Sequence, residues 1–417
     1  MRTAIIHAHL LTMAGPEIPS GYLVIDNDRI TAVGSGDLPS DLEKDAGQIL
    51  NMGGAWVMPG LIDAHCHVGL FNDGIGKEGE DGNEASDPVT PQLLATDGIY
   101  SEDRCFGEAL EAGVTTVLTG PGSANVFSGQ FALLHTAGRR VETMTIRRQA
   151  ALKAALGENP KAVHGAKDRS PSTRMATAAV IREALLKATR YRDKIARTEA
   201  AIAKGKDDAE LPDLELRWEA LLPALRGDML VKFHAHRADD ILTAVRVANE
   251  FGLRYTLDHC TEGYRIADLL AEAFKLGQQD GYGTGQPGRG RLEGVIVGPI
   301  LSDRSKPELR QAEVRNAAVL AAAGLPVAIM TDHPVIPIQY LALNAAIAMR
   351  AGLPEDLALA AITTTAARLA GIASDLGSLE AGKLADLAVF SGHPFDYRTQ
   401  TLRVLISGRT VWAREAT

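Results

Sequence analysis

The chain has 417 residues, of which 46% are hydrophobic and 23% charged, and its formal net charge is −9. These values are ordinary for a soluble globular protein; they argue against disorder and against nucleic acid as a partner, because affinity for phosphate backbones comes from clustered Lys and Arg. Three cysteines, Cys66, Cys105 and Cys260, follow no framework spacing, so a reduced, cytoplasmic setting is expected. No signal peptide and no membrane span is read, since no apolar run approaches about 18 residues.

In chain order, residues 1–57 read as short strands, with runs at 22–25 and 30–33 divided by Asn27-Asp28. Residues 376–417 read alike, with runs at 387–390 and 401–406 followed by Ser407-Gly408. The two ends are expected to combine into one small β-domain. His7 and His9 are spaced i, i+2 but lie in this domain without any Pro-Gly or Asp lead-in, and no metal is assigned to them.

Between the ends, β-branched runs alternate with alanine-rich helical patterns. Strands are expected at 56–64, 115–119, 130–135, 149–155, 229–236, 254–259, 294–301 and 326–331, and helices at 102–112, 239–251, 262–276, 307–323, 339–350 and 354–370. This is the pattern of an α/β fold, a (β/α)8 TIM-type barrel over residues 58–375 with a small β-sandwich from both chain ends. The gap between the third and fourth strands shows no clear helix. Residues 168–227 form an insertion rich in Ala, Arg, Lys and Glu, helical in composition at about 173–204 and 214–225. It reads as an elongated barrel helix with a solvated charged face, or else as a lid or oligomer contact.

The first barrel strand ends in His65 and His67. Side chains alternate along a strand, so both point to one side and can hold one metal ion. A lone histidine at a strand end is usually a packed core residue. Here His234 and His236 end the fifth strand, His259 the sixth, and Asp332 and His333 the eighth. The carboxyl ends of barrel strands surround one cavity, so these side chains are expected to meet there.

Pro59-Gly60-Leu61-Ile62-Asp63-Ala64-His65-Cys66-His67, His234 in His-Ala-His, His259, and Asp332 in Thr-Asp-His resemble the metal-dependent hydrolases of the amidohydrolase superfamily. Within it the chain is similar to the branch containing imidazolonepropionase and the prolidase-like amidohydrolases. Residues 376–390 resemble that superfamily's return strand into its β-sandwich, and only the 168–227 insertion lies outside the resemblance. It implies that His65 and His67 bind a buried metal, that His234 and His259 bind a more exposed one, and that Asp332 binds metal and handles protons. It also implies a carbamylated lysine bridging the ions, for which Lys153 is the preferred candidate. Lys232 is the rival; it shares the inward face with His234 but sits about 6–7 Å deeper along the strand, below the metals. His236 lies inward and nearer the mouth, suiting contact with a developing oxyanion, whereas His333 points away from Asp332.

The implied activity is hydrolysis of an amide or cyclic amide C–N bond by a metal-activated hydroxide, with Asp332 shuttling the proton. Zinc, with two ions per chain, is the expected cofactor, and iron, manganese or cobalt would also suit the ligands. Arg304 and Lys306, beyond the seventh strand, are placed either on a substrate carboxylate or in a solvated loop. The turn at 119–125 lacks a phosphate-loop Lys and reads as close backbone approach or a structural turn; 281–291 reads as a connection. The expected partner is a small-molecule substrate, and a homo-oligomer is expected. Two alternatives stay open: a one-metal deaminase or imidazolone-type ring hydrolase in which Lys153 is an ordinary amine, and a non-catalytic assembly protein.

Overall fold

A computed structural model describes residues 2–74, 76–206 and 209–415. Among these residues sixteen strands form two sheets. Five come from the amino-terminal end: β1 (Arg2–Leu10), β2 (Ile18–Asp26), β3 (Arg29–Ser35), β4 (Gln48–Asn51) and β5 (Trp56–Pro59). The barrel contributes β6 (Leu61–Cys66), β7 (Val114–Thr119), β8 (Phe127–His135), β9 (Thr145–Ala155), β10 (Leu230–Ala235), β11 (Arg254–His259), β12 (Arg291–Val297) and β13 (Val327–Ile329). The carboxyl-terminal end adds β14 (Leu387–Phe390), β15 (Thr401–Ile406) and β16 (Arg409–Ala413).

The two chain ends share one sheet because β14 pairs antiparallel with β5 while β1 pairs with β5 on its other side. Ile5, Leu23, Ile25, Leu387 and Leu405 fill its core. In this sheet His9 stacks on Trp56 with ring centroids 3.7 Å apart and pairs with Glu17.

The barrel runs from β6 to β13 in sequence order. β6, β7 and β10 are buried along their whole length, as strands covered on both faces must be. The ends of the sheet meet where His67 N–H donates to the carbonyl of His333 at 2.9 Å and Thr331 donates to the Asp63 carboxylate, so the barrel is nearly closed.

All eight barrel strands appear, but one runs the other way. β8 is antiparallel to both β7 and β9, whereas every other neighbouring pair is parallel. A parallel crossover needs roughly a dozen residues or more, and neither 120–126 nor 136–144 supplies them. Only the four-residue helix Val141–Met144 lies between β8 and β9, and the lack of a crossover-length helical pattern there is the sequence trace of this reversal. The 120–126 turn, following the carboxyl end of β7, lies at the mouth of the barrel, and the ring centroid of Phe131 on β8 is 5.2 Å from that of His65.

In the insertion, a helix spans Arg174–Ile202, opened by Thr173, whose hydroxyl accepts from Ala176 N–H. Its buried stripe of Thr177, Ala178, Ile181, Ala184, Leu185, Ala188 and Tyr191 has helical period. Arg174 bonds to Asp240 and Arg182 to Glu250, which tie it to the barrel helix Ala238–Phe251. The helix thus packs its small and apolar stripe inward, while Met175, Leu186 and Ile202 are exposed among the charged residues of its other side.

Candidate metal centre and substrate cavity

The inward rows of neighbouring strands are in register, so their chemistry arrives in layers. Lys153 on β9 lies directly beside Lys232 on β10, and both are fully buried. Lys232 Nζ donates to Ala64 O at 3.0 Å and lies 3.2 Å from Asp258 Oδ2, below the histidines. Asp258 also accepts from His65 Nδ1 at 2.7 Å and from Thr256 Oγ1 at 2.9 Å. Burial pushes the Asp258 carboxyl up, but the Lys232 ammonium and His65 outweigh it and hold it well below the usual carboxylate range. Lys153 has no such carboxylate partner. Its Nζ sits 3.2 Å from His65 Nε2, and burial pushes its ammonium down to about 8. Both amines flank Phe131, at 5.6 and 5.5 Å from the ring centroid.

Above this layer the histidines are oriented by partners that only accept. His67 Nδ1 lies 2.6 Å from Gly120 O, His259 Nδ1 2.9 Å from Gly298 O, and His65 Nδ1 on the Asp258 carboxylate. Each Nδ1 therefore carries its proton, and each Nε2 presents a lone pair. Asp332 Oδ1 faces these lone pairs, 3.2 Å from His67 Nε2 and 3.5 Å from His65 Nε2, without a hydrogen bond. Acceptors facing acceptors at this distance repel unless a cation stands among them. His234 Nδ1 and His236 Nε2 are likewise buried and without hydrogen-bond partners. Desolvation pushes His65, His234 and His236 well below the ordinary histidine range and His259 to about 4, so the imidazoles are neutral, the form that binds metal.

Ligand atoms of His65, His259 and Asp332 converge within 4.8 Å of one another, and so do those of His234, His236 and His259. The residues present fit divalent metal. His236, read from the sequence as a substrate contact, thus also stands among potential ligands; its Nδ1 is 2.7 Å from Thr261 Oγ1. His259 and Asp332 have left-handed backbones, φ 68° and 55°, an unfavourable conformation for non-glycine residues that clusters at functional sites. At His259 it breaks strand alternation, which is how Asp258 and His259 both reach the site. His333 turns elsewhere and accepts from Ile338 N–H through Nδ1.

The histidines open into a cavity of about 710 Å³ walled in part by the segments after β7 and β12 and by Asn159 at the start of the helix Glu158–Gly165. Arg304 donates to Ala312 O at 2.9 Å and is largely exposed, while Lys306 Nζ donates to Asn159 Oδ1 at 3.0 Å beside the histidines. Asn159 also donates to Ser123 Oγ and lies 3.5 Å from His234 Nε2. Sequence reasoning passed over Asp258, Asn159 and Glu308.

The model of the Amidohydrolase family matches residues 56–411. The chain belongs to the amidohydrolase family. A solved amidohydrolase from Thermotoga maritima MSB8 is 38% identical, with a TM-score of 0.89 over 99% of this chain and 100% of that one. Amidohydrolase tasK of Hapsidospora irregularis is 29% identical over 93% of this chain, which spans only 39% of that relative. A 5-methylthioadenosine/S-adenosylhomocysteine deaminase of Bacillus thuringiensis is 40% identical over 70 residues, 16% of each protein. A prolidase solved with N-methylphosphonate-L-proline shares the fold at 19% identity, with a TM-score of 0.57 over 99% of this chain and 100% of that one. Members of the family generally bind divalent metals, in keeping with the donor set of this amidohydrolase.

Proposed function

We propose that this amidohydrolase hydrolyses an amide or cyclic amide C–N bond in a small molecule carrying a carboxylate, using two divalent ions, most simply zinc. The observation that carries the reading is the set of acceptors turned on one another: Nε2 of His65 and His67 around Asp332 Oδ1, with His259 and His234 beside them. His65 and His67 would hold the inner ion, His234 and His259 the outer, and Asp332 would contact metal. Lys153 is assigned as the carbamylated bridge, because its buried amine faces His65 Nε2 and has no carboxylate partner, whereas Lys232 is committed to Asp258. Bound ions would polarise a carbonyl and lower the pKa of a water from about 15.7 to about 7.

The chain's own residues supply the rest. Asp332 Oδ1 accepts a proton from the attacking water and returns it to the leaving nitrogen. His236, with Nε2 free of a hydrogen bond, contacts the developing oxyanion. Lys306 takes the substrate carboxylate.

The deaminase match over 70 residues favours a second reading, a one-metal deaminase. Protein stripped with a chelator and reloaded with zinc, manganese or cobalt would be assayed on N-acyl amino acids, cyclic amides and 6-aminopurine nucleosides. Amide cleavage restored by metal supports the proposal, and ammonia release with one ion per chain supports the second reading. Inactivity of fully metallated protein on every substrate refutes both.

A further inference from the structure

Glu308 follows β12 on a turn of 3-10 helix, Pro307–Leu309, and is 1% exposed. One carboxylate oxygen, Oε2, accepts from Glu158 N–H at 2.9 Å, tying this turn to the start of the helix Glu158–Gly165 that carries Asn159. The other, Oε1, is buried and accepts no hydrogen bond. It lies 3.5 Å from Lys306 Nζ and 3.6 Å from His236 Nε2. A buried carboxylate is costly unless a cation answers it, and Lys306 is the nearest ammonium. The reverse also holds. Lys306 reaches toward a centre whose donor set fits dications, so an anion behind it is what holds it in place.

We infer that Glu308 is a positioning residue that holds the Lys306 ammonium against the cavity wall, and that the pair selects substrates bearing a carboxylate close to the scissile bond. The inference rests on the reading of this cavity as the site of C–N hydrolysis. Lys306 is held from two sides, by Glu308 Oε1 and by Asn159 Oδ1, and it is 35% exposed, which leaves its remaining N–H directions for a ligand. Apolar residues close by, Val297, Ile300, Leu309 and Val314, suit an aliphatic side chain on such an acid.

The test compares binding of N-acetyl-L-leucine with that of N-acetyl-L-leucinamide, by calorimetry, in metal-loaded wild type, Lys306→Met and Glu308→Gln. Wild type is expected to prefer the acid by about tenfold or more, the worth of one charge-assisted hydrogen bond. Both variants lose the preference, the affinity for the acid falling to that for the amide, and the double variant loses no more than either alone. Rescue by Glu308→Asp, wholly or in part, marks the carboxylate itself as the cause. Where Glu308→Gln fails to fold, Glu308→Met is read in its place and must likewise lose the preference for the acid. The inference is overturned if Lys306→Met keeps the preference, since the acid then binds elsewhere, or if folded Glu308→Gln keeps it at wild-type metal content. Loss of metal from wild type, or absence of turnover on any amide, would instead count against the hydrolase reading.

Discussion

The buried pair of Lys232 and Asp258 offers a sharp energetic test, because both side chains are fully excluded from water beneath the proposed ligands. Lys232→Met fills similar volume but leaves Asp258 with only His65 and Thr256 as donors. Breaking a buried pair from one side typically costs about 3–5 kcal/mol, and the remaining hydrogen bonds put this variant near the lower end, about 3 kcal/mol. Asp258→Asn turns an amide N–H₂ or a neutral oxygen toward an ammonium whose other partner is Ala64 O, and should cost about 4 kcal/mol. If the charges answer each other, the double variant loses about 4 kcal/mol rather than about 7, because the second change removes the orphan left by the first. Urea unfolding of chelator-treated protein, followed by the fluorescence of its three tryptophans, measures all four states without linkage to bound metal. Losses that add to within about 0.5 kcal/mol would show that the two groups do not interact and would refute this account of the layer under the site.

Other expectations follow from single contacts. Thr331→Val removes the 2.6 Å hydroxyl donor to buried Asp63 and should cost about 1–3 kcal/mol, read in the same unfolding assay; an unchanged midpoint would contradict the role given to that contact. Gly60→Ala would drive a Cβ into the Thr115 side chain, which is β-branched and buried, so a loss of about 3 kcal/mol or a failure to accumulate soluble protein is expected. Arg174→Ala strands Asp240, 2% exposed, and should speed proteolytic cleavage within Arg174–Ile202 relative to wild type, with metal content unaltered. Lys153→Met should lower bound metal from two ions per chain toward one, and native intact mass of metal-free wild type grown with bicarbonate should exceed the sequence mass by one CO2; equal metal content in the two proteins would remove Lys153 from the centre.

Much of this was legible in the sequence because the decisive patterns are local. Period-two alternation placed His65 beside His67 and Lys232 beneath His234, and the contrast of that pair with His7 and His9 turned on position at a barrel strand end. Strand direction is not local. Hydrophobic runs look alike in either direction, so the reversal of β8 left only the lack of a crossover-length helix as its trace. Asp258 was passed over because ideal alternation sets it opposite His259. The left-handed backbone at His259, invisible to a pattern of apolar residues, lets both reach the site. Glu308 and Asn159 escaped notice for a different reason: they sit on the short helical segments Pro307–Leu309 and Glu158–Gly165 after two different strands, and only the folded barrel brings those segments against each other.

The central claim is that the acceptors gathered at the carboxyl ends of β6, β10 and β11 and at Asp332 hold divalent metal. Anomalous diffraction at the zinc edge from crystals grown with zinc tests it directly. The account predicts two peaks about 3.5–4 Å apart. One should lie about 2.0–2.1 Å from the ligating nitrogens of His65 and His67, and the other at that distance from those of His234 and His259. Asp332 should contact metal, and extra density should extend from Lys153 Nζ between the peaks. Absence of any peak among these residues, or zinc bound only elsewhere on the protein, would contradict it.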